Sequence, residues 1–145
     1  MKSFFEDKFE YDFRSNEQWI ESIAANDEIP AYVAKMMSHI LNVHHIWLSR
    51  LLGEKAESFT WDELPSIHWQ QLNHDNFRRT IEFLEQHDSK GKIHYHSEEG
   101  VEFEKSTVDV LYHILNHGTH HRAQISLALR QVNLPVPSLN FIAYH

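Results

Sequence analysis

Residues 106–132, STVDVLYHILNHGTHHRAQISLALRQV, repeat apolar side chains at a helical period. This pattern commits the segment to an α-helix with one buried face. A helix turns about 100° per residue, so each side chain can be placed around the axis. With His117 at zero, Val110 and Ala128 fall at about +20°, His121 at about +40°, Ile114 and Val132 at about +60° and Ile125 at about +80°. His117 and His121 therefore lie within the apolar arc. His113, at about −40°, and His120, at about −60°, lie at its edge or beyond it. Two imidazoles one turn apart on a buried face have the spacing with which a helix grips a metal ion. A single buried histidine is more often a core residue with a satisfied hydrogen bond. The pair makes a metal site a serious alternative, provided that a third ligand comes from elsewhere in the chain.

The 145 residues suffice for one domain with a core of its own, expected to span 1–145. There is no cysteine, which excludes disulfides, a cysteine nucleophile and protein thiolate ligands. The formal net charge of −8 disfavours a nucleic-acid partner. The opening MKSFFEDKFEYDF sets acids inside its apolar stretch, unlike a secretory leader, and no apolar run approaches a membrane span. A cytoplasmic protein without membrane contacts is expected.

Three further helices are predicted. Phe5, Phe9, Phe13, Trp19, Ile20 and Ile23 form the buried stripe of a helix over about 3–25. Pro30 fits the first turn of a second helix, 31–52, which Gly53 ends in a left-handed turn. Within it His39 lies at the edge of the apolar arc, while His44 and His45 point elsewhere, so His39 is the best third ligand. Arg50 shares its direction three turns on, where a snorkelling side chain is the plainer reading. Residues 54–65 read as a loop tucked down by Phe59, Trp61 and Leu64. A third helix, 66–87, buries Trp69, Leu72, Phe77, Ile81, Phe83 and Leu84, with Asn73, Asn76 and Thr80 as core hydrogen-bonders and His68, His74 and His87 on the surface. Polar–apolar alternation over 92–96 and 101–105 predicts a short β-hairpin, with His94 and His96 on its solvated face. Gly118 implies a close approach by another helix or a ligand. The tail, with Leu139, Phe141, Ile142 and Tyr144, is too apolar to be free and is expected to pack on the bundle or on a second subunit. The fold class is all-α, a four-helix bundle with a hairpin between helices 3 and 4, and its two long loops argue against simple up-down-up-down topology.

The segments SHILNVHHIWLSRLLG and HILNHGTHHRAQISLALRQ, followed by a proline-containing tail with LNFI, resemble the DinB family of four-helix-bundle metalloproteins, which includes bacillithiol and mycothiol transferases. The resemblance covers nearly the whole chain. Its motifs are a histidine eight residues before a tryptophan in one helix and N-H-x-T-H-H-R in the last. Carried over, the family's metal triad falls on His39, His117 and His121, the set that the helix angles select. The resemblance also implies a homodimer and a divalent ion such as nickel, zinc or iron. His120 and Arg122 belong to the motif without an assigned role, and Ala123 stands where the family usually has glycine.

Three imidazoles leave coordination positions open for water, substrate or a small thiol, the pattern of a catalytic site. The leading expectation is an enzyme that transfers a low-molecular-weight thiol to an electrophile, since a chain without cysteine has to receive its thiolate from a small molecule. The alternatives are a metal-dependent hydrolase of a small ester or amide, and a non-catalytic metal-binding stress-response protein. Arg50 and Arg122 are candidates to hold an anionic thiol or carboxylate, against an ordinary ion pair on the helix surface. His113 is expected beside the triad or facing solvent.

Overall fold

The computed structural model describes residues 1–138 and 140–144. Helix α1 spans Lys2–Ala24, α2 Ala31–Leu52, α3 Trp69–Gln86 and α4 Thr107–Gln131. One turn of 3-10 helix, Ser66–His68, leads into α3. Strands β1 (Lys92–His96) and β2 (Glu102–Ser106) pair antiparallel between α3 and α4, with Tyr95 opposite Phe103. A last turn, α5 (Phe141–Tyr144), follows the tail.

The helix ends follow from local chemistry. At the end of α2, Gly53 adopts φ 69°, and the Glu54 amide reaches back to the Ser49 carbonyl, satisfying a terminal acceptor. At the start of α4, the Ser106 hydroxyl accepts from the Asp109 amide. At its end Asn133 takes the left-handed conformation, φ 58°, which asparagine tolerates better than most residues.

Helix α1 packs chiefly on α3 and α4, and α2 chiefly on α4 and α3. The order around the bundle is thus α1–α3–α2–α4, and the consecutive helices α1 and α2 face each other across it. This is the departure from simple topology that the long loops imply. Two apolar clusters fill the interior. One gathers Trp19, Val33, Met37, Leu41, Trp69, Ile125 and Leu129. The other gathers Phe5, Phe9, Leu48, Phe83, Val110, Leu111 and Ile93, so the hairpin is anchored through its one buried residue.

Between the clusters lies a polar layer. Arg122 is buried, and its Nη1 donates to Asp12 Oδ1 at 2.6 Å and Asn16 Oδ1 at 2.7 Å. Asn16 Nδ2 donates to Asn73 Oδ1 at 3.1 Å, and Asn73 Nδ2 donates to the Phe13 carbonyl at 3.2 Å. Arg122 was expected at the site or in a surface pair. It is instead the cationic centre of an interior network joining α4 to α1, because the core-facing arc of α4 is wider than its apolar residues indicate. Gly118 makes room for that network: a Cβ there would stand 2.9 Å from Asp12 Oδ1 and 3.0 Å from Arg122 Nη1.

The loop over residues 54–65 departs from expectation at Phe59 alone among its three anchoring residues. Leu64 packs on the core, but Phe59 is 68% exposed. Trp61 packs the loop onto the bundle through the His39 ring of α2. Leu72, Phe77 and Ile81 are only partly buried, because α3 closes the bundle at its edge. Asn73, Asn76 and Thr80 are buried and hydrogen-bonded, and His68, His74 and His87 are exposed, as expected. The tail folds back on α1, where Phe141 and Tyr144 meet the Tyr11 ring edge-on. Leu139, assigned to the same packing, lies outside the described residues. Among those described, no helix is long and apolar enough to cross a membrane.

Candidate metal centre

Helices α2 and α4 are closely packed neighbours, and their contact brings His39 against His117 and His121. One ligand-type nitrogen from each residue lies within 4.8 Å of the others. His39 is buried, and the other two are half-buried. The group contains no carboxylate.

Two of the three rings are held by partners that fix their tautomers. His39 Nδ1–H donates to the Thr60 carbonyl at 2.9 Å, which leaves the Nε2 lone pair free. The indole of Trp61 covers the same ring, with centroids 3.8 Å apart and planes 6° from parallel. His121 Nδ1–H donates to Gln124 Oε1 at 2.6 Å, so its Nε2 is also a lone-pair donor. The Gln124 oxygen additionally accepts from the Tyr32 hydroxyl at 3.3 Å, while its amide nitrogen donates to His120 Nε2 at 3.3 Å. Such outer hydrogen bonds on the far nitrogen are a regular companion of metal-binding histidines.

His117 Nε2 lies 3.0 Å from His39 Nε2. Two lone pairs cannot face each other at that distance unless a proton or a cation stands between them. Imidazole nitrogens bind a divalent ion at about 2.0–2.1 Å, so two of them at about a right angle would be about 3.0 Å apart. The donor set thus fits a divalent ion. Electrostatics agree, because a ligand imidazole has to be neutral. Burial, followed by the neighbouring His121 and His39, lowers the His117 pKa to about 3. Burial also lowers His39 and His121, against a raising influence from the Thr60 carbonyl and from Gln124 respectively.

The other candidates lie outside this group. His120 is exposed and bonded to Gln124. His113 is exposed, 5.8 Å ring to ring from His117, and packs on Trp47 at 5.1 Å. Arg50 sits farther along α2, between the Trp47 and Tyr95 rings. His94 and His96 occupy the exposed face of β1. Sequence reasoning missed Thr60, Trp61 and Gln124. Gln124 carried a signal, since it stands one turn after His121 on the same helix. Thr60 and Trp61 carried none, because a loop's path is not written in a period.

A relative of this chain is the uncharacterized protein YizA of Bacillus subtilis (strain 168). It is 22% identical over 147 residues, which cover 92% of this chain and 91% of that protein. The DinB family model matches residues 14–145, a stretch that contains both metal-site helices, and the chain belongs to the DinB family.

Proposed function

We propose that this protein is a divalent-metal-dependent enzyme that transfers a low-molecular-weight thiol to an electrophile. The observation that carries the reading is the meeting of His39, His117 and His121 with the far nitrogens of His39 and His121 already engaged. An ion held there, with nickel, zinc and iron as candidates, supplies Lewis-acid chemistry and keeps a thiol ionised at neutral pH. His117 and His121 are half-exposed, so a small molecule has access from that side. The sulfur–carbon bond forms as the bond to the leaving group breaks, the leaving group departs with the bonding pair, and the thiol proton passes to solvent. Hydrolysis of an ester or amide would gain from a carboxylate base beside the ion, as in zinc proteases, whereas a thiol ionised by the ion needs none. A cytoplasmic homodimer belongs to the same reading.

The test pairs elemental analysis with mass spectrometry. Wild type is expected to carry close to one divalent ion per chain and His117→Ala far less. S-conjugation of a test electrophile is expected only with metal loaded and His39 intact. Full metal occupancy without conjugation by any of a panel of small thiols would overturn the transferase reading and leave a metal-binding protein.

A further inference from the structure

We propose that the cavity beside Arg50 is a subsite for the carboxylate of a small-molecule ligand. Arg50 lies in the last turn of α2, with its guanidinium 4.5 Å from the centroids of both Trp47 and Tyr95. Stacking of this kind holds the planar group in place and leaves its N–H donors pointing outward along the plane. Among the described residues the Arg50 side chain makes no hydrogen bond and no ion pair. A partly buried fork of five donors, rigidly held and without an acceptor, is prepared for one.

The surroundings indicate what that acceptor is. Arg50 lines a cavity of about 380 Å³ together with Lys55, Ser58, Glu54 and Glu98. The Ser58 hydroxyl in that wall is buried and has no hydrogen-bond partner. The two acids are already engaged, Glu54 by Arg79 and Glu98 by the Thr60 hydroxyl at 2.9 Å. Glu98 acts on the Arg50 charge through space without bonding to it, and the two acids together oppose a dianion such as phosphate. A single carboxylate matches the single planar fork and tolerates that field. The triad does not line this cavity, but side-chain contacts join the two. Trp47, which stacks on Arg50, packs on His113, and His113 on His117, so a row of packed rings links the subsite to the triad. Glu98 reaches the centre by another route, through Thr60 to His39. A catalytic role for this link rests on the proposed thiol transfer; the carboxylate subsite does not.

Butyrate, a short monocarboxylate, is titrated into wild-type protein and into His117→Ala while the tryptophan indole N–H signals are followed by NMR. A saturable shift of the Trp47 signal with millimolar affinity is expected in both proteins, with or without added nickel. Arg50→Lys keeps the charge and loses the fork, and is expected to weaken binding about tenfold. Arg50→Gln is expected to abolish it, and circular dichroism reports whether that variant folds. Inorganic phosphate at equal ionic strength is expected to bind more weakly. Shifts that do not saturate, phosphate binding equal to that of butyrate, or an Arg50→Lys variant indistinguishable from wild type would each overturn the subsite. Loss of metal from His117→Ala with the butyrate response retained keeps this result separate from the fate of the transferase reading.

Discussion

His44 makes stability depend on pH in a way that can be computed from its surroundings. Its ring is buried against Phe9, with centroids 5.6 Å apart, and its Nε2–H donates to Thr80 Oγ1 at 2.9 Å. Burial lowers its pKa from 6.5 to about 4, opposed by the charge of Asp12. The folded state therefore takes up this proton later than the unfolded chain does. Stability is full above about 6.5, falls as pH drops toward about 4, and changes no further below that on account of this group. A difference of about two and a half units corresponds to about 3 kcal/mol, since each unit is about 1.4 kcal/mol. The perturbation is His44→Phe, which preserves an aromatic ring against Phe9. Thr80 loses a donor but still gives its own proton to the Asn76 carbonyl at 2.7 Å. Urea unfolding of both proteins at half-unit steps from pH 7.5 to 4 isolates the effect, because other titrating groups cancel in the difference. The wild type is expected to lose about 3 kcal/mol more than the variant across that range. Parallel curves for the two proteins would refute the reasoning and mean that His44 is protonated inside the fold.

Other perturbations probe the metal centre and the network behind it. Trp61→Ala removes the ring that holds His39 and is expected to weaken nickel binding by about ten- to a hundredfold in calorimetry, with Trp61→Phe close to wild type. Gln124→Leu frees the far nitrogen of His121 and is expected to weaken binding over the same range while the melting temperature changes little. Gly118→Ala gains about 1 kcal/mol of helix propensity but drives a methyl group into the Asp12–Arg122 pair, so a net loss of about 1–2 kcal/mol in urea unfolding is expected. Arg122→Ala strands the buried Asp12 carboxylate and is expected to cost about 3–5 kcal/mol, seen as a large drop in unfolding midpoint.

The parts of this molecule that could be read from its sequence are those that a period encodes. The limits of α2 and its stop at Gly53 follow from a stripe and a glycine, and both stand where expected. His117 and His121 were placed by a rotation of about 100° per residue, which needs no knowledge of the partner helix. His39 needed one further assumption, that α2 packs on α4, and the edge of its apolar arc supplied it. Arg122 escaped the same reasoning because an apolar arc records only side chains that bury by transfer from water. A charged residue enters the core when partners on another helix, here Asp12 and Asn16, replace its hydration, and no pattern within α4 announces them. Gly118 was the trace they left, since a residue without a side chain one turn before Arg122 makes the room their pairing occupies. The aromatic loop was legible only in part for a related reason. Trp61 was expected to tuck the loop onto the bundle, and it does so on an imidazole whose far nitrogen the adjacent Thr60 carbonyl binds. The two loop residues form one device, and both act on the same ring. Their contribution is to hold a ligand rather than to fill the interior, which is why a half-exposed tryptophan occupies that position.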